Sequence, residues 1–68
     1  MSMMGKAIVM ARREKGWSQV DLACNSETSL GTIVRIESGL AARTKIGTMF
    51  KVLDALGISR TYFFNLND

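Results

Sequence analysis

A chain of 68 residues, 47% hydrophobic and 22% charged, is expected to form one globular domain over 1–68, with a thin core and no room for a second domain or an enclosed ligand pocket. Nine Lys and Arg against six Asp and Glu give a net charge of +3, which favours anionic partners. The absence of histidine and the single cysteine, Cys24, exclude an internal disulfide, the usual zinc ligand sets and an imidazole-activated nucleophile, so no enzyme activity, metal or cofactor is expected.

The longest apolar run, residues 7–11, is far shorter than the ~18 residues of a membrane span. With its lone thiol, the chain is expected in the cytoplasm, without membrane contact and without a small-molecule ligand.

Along the chain, Ser2 is placed to cap a first helix over 3–15, with Met4, Ile8 and Ala11 inward and Gly16 ending it. The six glycines match neither a dinucleotide nor a phosphate-loop spacing and are expected at helix ends. Trp17 is a candidate buried anchor. Ser18 then caps a short second helix over 19–25, with Asp21 in the acid-favouring first turn and Cys24 as a small filler. A polar break at 26–28 precedes Ser29, which caps a third helix over 30–38 with Ile33 and Ile36 inward and Gly39 terminating it.

An irregular link over 40–43 leads to a fourth helix opened by Thr44 or Lys45. Ile46, Met49, Phe50, Leu53 and Leu56 fall there at helical spacing, and Gly57 closes it. Ser59 caps a last turn bearing Tyr62, Phe63 and Phe64, followed by a tail at 65–68 expected to fray. Three adjacent aromatics cannot all face inward, so this trio is expected to supply a dimer or partner contact. No strand pattern, repeat or low-complexity tract is present.

The second and third helices are joined by about four residues, which forces a steep pairing around Leu22, Ala23, Ile33 and Ile36. Ser29 leaves the amino end of the third helix outward, with its free N–H groups, an end suited to a phosphate-lined groove. In order, the chain carries Arg12, Gly16, Trp17, Ser18, Gln19, Leu22, Ala23, Ser29, Ile33, Glu37 and Gly39, then Ala55-Leu56-Gly57-Ile58-Ser59.

Over about residues 4–64 this pattern resembles the phage-repressor and Cro-like helix-turn-helix regulators of the XRE type. The resemblance implies an all-α, five-helix, lambda-repressor-like domain that binds double-stranded DNA and regulates transcription, most simply as a repressor and homodimer. It further implies that Arg12 and Glu37 form an ion pair tying the first helix to the third. Three departures stand out. Glu27 occupies a turn position where the family has Gly, so either that residue takes a less favourable backbone geometry or the turn differs. No proline precedes the fourth helix. The first recognition positions are Leu30 and Gly31 rather than amides or Arg.

Candidate base contacts are Leu30, Gly31, Val34 and Arg35. An Arg at position 35 can bond guanine O6 and N7, and the two aliphatics can meet a thymine methyl or, equally, a protein. Candidate phosphate contacts are Ser18, Gln19, Ser29, Thr32, Arg43 and Lys45, against the plainer reading of caps and solvated charges. Arg13 and Lys15 also remain available to phosphate. The alternative function is an antitoxin or accessory protein-interaction module that holds a protein partner through Val9, Met10 and the carboxy-terminal aromatics.

Overall fold

The computed structural model describes residues 2–66, and among these every regular element is helical. Five α-helices follow in order: α1 (Met3–Glu14), α2 (Gln19–Ser26), α3 (Leu30–Arg35), α4 (Ile46–Leu56) and α5 (Arg60–Phe64). Four begin at a serine whose hydroxyl oxygen accepts a backbone N–H three residues on: Ser2 from Gly5, Ser18 from Asp21, Ser29 from Thr32 and Ser59 from Tyr62. Each side chain satisfies one of the donors that a helix leaves unpaired at its amino end. Only α4 lacks such a cap, because its flanking residue is Lys45.

Three glycines reverse the chain at helix ends with positive φ: Gly16 (72°), Gly39 (103°) and Gly57 (72°). The other three lie inside helices, contrary to the expectation that all six mark ends. Among these, Gly5 is a packing requirement. A Cβ there would lie 2.6 Å from the carbonyl oxygen of Glu37, so α1 presses directly on the backbone that follows α3.

The third helical stretch ends less simply than its periodicity predicts. Regular α-geometry stops at Arg35, the chain widens into a π-type turn over Ile36–Leu40 in which Gly39 leaves helical geometry, and a 3₁₀ turn over Ala41–Arg43 replaces the irregular link. α1 packs most extensively on the 36–40 segment, which positions the end of the third helical stretch from behind.

The core consists of Ile8, Leu22, Ala23, Ile33, Ile36, Ala41, Met49, Val52, Leu53, Leu56 and Phe63. Burying each large apolar side chain contributes roughly 1.5–3 kcal/mol relative to leaving it exposed. Several expectations are corrected here. Cys24 is exposed rather than a filler, since it lies on the outward side of α2 from Leu22 and Ala23. Val9 is buried and offers a partner little surface, whereas Met10 is exposed.

In α4 the inward set is Met49, Val52, Leu53 and Leu56, and Ile46, one turn too early, is exposed. Phe63 is completely buried in this chain's own core, so of the aromatic trio only Tyr62 and Phe64 remain as surface contacts. Trp17 is half-buried and packs on the core's edge, with the Lys15 ammonium 5.3 Å from its ring centroid. Leu66 also packs on the core rather than fraying, and residues 67 and 68 of the expected tail lie outside the described residues.

α4 and α5 are tied by aromatic and charged contacts: the Arg60 guanidinium lies 3.8 Å from the Phe50 ring centroid and pairs with Asp54 at 3.1 Å. The Phe64 ring meets both Phe50 and Phe63 edge-on. No helix among the described residues is long and apolar enough to cross a membrane.

Candidate nucleic-acid interface

The pair α2–α3 is joined by three residues, Glu27, Thr28 and Ser29, one fewer than spacing predicts. Glu27 takes the left-handed conformation itself (φ 56°, ψ 42°), which resolves the alternative in favour of the less comfortable backbone geometry rather than a different turn. The turn is held by hydrogen bonds: the Thr28 N–H donates to the Ala23 carbonyl at 2.9 Å, and the buried Ser26 hydroxyl donates to the Leu22 carbonyl at 2.6 Å and meets the Thr28 hydroxyl at 2.8 Å. Leu22, Ala23, Ile33 and Ile36 are all buried between the helices and the rest of the core.

With Ile33 and Ile36 inward, helical geometry turns Leu30, Gly31, Val34 and Arg35 outward. Leu30 and Val34 keep 45% and 44% of their surface, less than Val20 and Ile46 at 53% and 57%, and Gly31 and Arg35 are exposed. Arg35 makes no ion pair or side-chain hydrogen bond among the described residues. Its backbone carbonyl accepts from the Ser38 hydroxyl at 3.0 Å. Beyond α3, Arg43 and Lys45 are likewise exposed and unpaired among the described residues.

The hydroxyls expected to meet phosphate are already engaged within the chain. Ser29 Oγ accepts the Thr32 N–H at 3.1 Å and lies 2.9 Å from the Thr32 hydroxyl. Ser18 and Asp21 form a reciprocal capping box, in which the Ser18 N–H donates to the Asp21 carboxylate at 2.8 Å and the Asp21 N–H donates to Ser18 Oγ at 3.0 Å. Hydrogen bonding from the Ser18 backbone first, and from its side chain second, holds the Asp21 carboxyl below its usual pKa. A carboxylate therefore occupies the amino end of α2. The amide nitrogen of Gln19 donates to Glu37 Oε1 at 3.0 Å and so points to the interior side of α2.

Behind this face lies a buried polar cluster. Arg12 Nε donates to Glu37 Oε2 at 2.7 Å, Nη2 to Oε1 at 3.1 Å, and Nη1 to the Trp17 carbonyl at 2.9 Å. The geometry is the two-pronged one a guanidinium makes with a carboxylate. Sequence reasoning missed the Gln19 arm and the Gly5 contact, which join residues far apart in the chain, and the Trp17 carbonyl, which Arg12 reaches across the Gly16 turn.

Comparison with known proteins agrees with this architecture. A family model described as helix-turn-helix matches residues 8–63, a span that takes in α2, the turn, α3 and the Arg12–Glu37 tie. No curated protein and no solved structure gives a match. Since the matched span covers most of the chain and carries the outward α3, this protein belongs to the XRE-type, Cro-like helix-turn-helix family of DNA-binding regulators.

Proposed function

We propose that this chain is a sequence-specific transcriptional repressor that acts in the cytoplasm as a homodimer. Residues 1–68 serve as one DNA-binding unit that works by occupancy, with neither cofactor nor catalytic step. In a two-fold dimer the two copies of α3 enter successive major grooves about 34 Å apart. The observation that carries the reading is Arg35: an exposed guanidinium on the outward side of α3, with no partner of its own among the described residues.

In this reading Arg35 bonds guanine O6 and N7, and Leu30, Gly31 and Val34 lie against neighbouring base edges. Arg43 and Lys45 neutralise phosphates, assisted by the hydroxyls of Ser29 and Thr32 at the amino end of α3 and by the Ser18 hydroxyl and the Gln19 backbone N–H at that of α2. Tyr62 and Phe64 belong to the contact between copies.

Selection of bound duplexes from a random-sequence pool, followed by titration at several salt concentrations, tests the reading. A recurrent site, bound with a salt dependence that falls by about 0.9 in log–log slope for each of Arg43→Gln and Lys45→Gln, is expected. Absence of duplex binding, or binding without sequence preference, contradicts it.

A second reading, an antitoxin or accessory protein, is favoured by one observation. Exposed Met3, Met10 and Tyr62 line a groove between α1 and α5 that includes none of the candidate DNA-contacting residues. Tight co-purification of a different protein, lost on Met10→Glu with DNA binding intact, distinguishes it from the first.

A further inference from the structure

Gly31, the second residue of α3, is a glycine that the fold does not require. Its φ is not in the left-handed region, and a Cβ placed on it meets only Ser29 Oγ, at 4.0 Å. Glycine within a helix is destabilising relative to alanine, so an open position with ordinary backbone geometry carries a cost that nothing inside the molecule offsets. Gly47 of α4 is equally open, but Gly31 lies among the candidate base-contacting residues, where a missing side chain permits close approach of another body to the backbone.

The neighbours of Gly31 indicate what approaches. Residues four apart lie one above the other on a helix, and side chains lean toward its amino end. Val34 therefore leans toward Leu30, making an aliphatic ridge, and Arg35 leans over the bare backbone of Gly31. Thr32, the other hydroxyl-bearing residue of the first turn, is half-buried and engaged with Ser29. Arg35 is thus the single polar head among the four candidate base-contacting residues, beside two exposed aliphatics and a glycine.

Resting on the DNA-binding reading above, we propose that α3 reads a guanine flanked by C5-methyl pyrimidines. Arg35 takes guanine O6 and N7, the Leu30–Val34 ridge packs on the methyl groups that thymine presents in the major groove, and Gly31 gives the clearance that brings the helix close enough for both. Recognition then depends on the methyl groups themselves, and 5-methylcytosine substitutes for thymine as far as the ridge is concerned.

The test uses the duplex selected by the protein, resynthesised with uracil in place of thymine, a change that deletes the methyl and keeps base pairing. The wild-type chain is expected to bind the uracil duplex about fourfold more weakly for each methyl contacted. Leu30→Ala and Val34→Ala, both at exposed positions, are expected to lower affinity for the thymine duplex and bring the thymine-to-uracil ratio toward one. Gly31→Ala is expected to raise the melting temperature by several degrees and yet weaken binding to both duplexes.

Equal affinity of the wild-type chain for the two duplexes, with binding still salt-sensitive and sequence-dependent, overturns the methyl inference alone. Gly31→Ala that stabilises the fold and binds DNA as well as wild type overturns the clearance role. Complete absence of duplex binding removes this inference together with the reading beneath it, and leaves the Leu30–Val34 ridge as a protein contact.

Discussion

Arg12 and Arg35 carry the same side chain in opposite circumstances. Arg12 is almost completely enclosed, its guanidinium donating to both oxygens of Glu37 and to the Trp17 carbonyl, while Arg35 stands exposed with nothing among the described residues to receive its donors. Gly5 and Gly31 repeat the contrast: one is required by a backbone 2.6 Å from where a side chain would begin, the other faces open space. The closed region fixes how α1 crosses the end of the third helical stretch. The open region is left unsatisfied by the fold. No buried side-chain nitrogen or oxygen lacks a partner among the described residues, so the groups left free, Arg35 of α3 among them, are exposed ones.

If the closed region is structural, changes there act on stability. The largest effect is expected for Arg12→Ala, which strands the Glu37 carboxylate in a buried site and is expected to lower stability by about 3–5 kcal/mol. That is comparable to the entire margin of a domain this size, roughly 3–5 kcal/mol, so a largely unfolded chain in circular dichroism is the anticipated result. Gly5→Ala comes next: the added methyl must displace the Glu37 backbone, and a loss of about 1–3 kcal/mol in urea titration is expected. An unchanged midpoint for either variant breaks the comparison.

A third change sharpens it from the other side. Glu27 pays a backbone penalty in the left-handed region, with neither side-chain hydrogen bond nor ion pair among the described residues. Glu27→Gly is therefore expected to raise stability by about 1 kcal/mol, or roughly 4–8 °C in melting temperature, with the α2–α3 arrangement intact.

The smallest effect concerns Asp21. Its carboxyl has a lower pKa folded than unfolded, so the deprotonated form stabilises the fold at pH above the ordinary carboxylate value. That contribution disappears as pH falls through the lowered folded value. Asp21→Asn, which lacks the carboxylate, is expected to lower the melting temperature slightly at neutral pH and to flatten its fall on acidification in that window, the two chains converging at the acid end. An identical acid profile in the two chains contradicts the capping-box assignment.

Much of the fold was legible because its signals are local. A serine before each of α1, α2, α3 and α5 caps by reaching three residues along the chain, and Gly16, Gly39 and Gly57 sit where apolar periodicity stops. What was not legible depends on contacts between distant segments. Gly5, Gly31 and Gly47 are alike in sequence, all three inside helices, and only the approach of the Glu37 carbonyl separates the first from the other two. Adjacent Tyr62, Phe63 and Phe64 do not reveal which one enters the core, since that depends on how α5 lies against α1 and α4. The Gln19 side chain gives no local sign of its bond to Glu37, because that partner lies eighteen residues on, beyond α3.

The candidate reading face was legible for a related reason. Once Ile33 and Ile36 are assigned inward, helical periodicity alone turns Leu30, Gly31, Val34 and Arg35 outward. Only the lack of any internal partner for Arg35 needed coordinates.

The most direct test of the difference between the two arginines is the affinity of wild type and Arg35→Ala for a selected duplex and for a shuffled one of equal length and composition, at one salt concentration. Arg35→Ala is expected to bind the selected duplex more weakly by about 1–3 kcal/mol, to bind the shuffled one with a much smaller loss, and to melt within about 0.5 kcal/mol of wild type. Undiminished preference for the selected duplex, or a variant that is destabilised instead, contradicts the account.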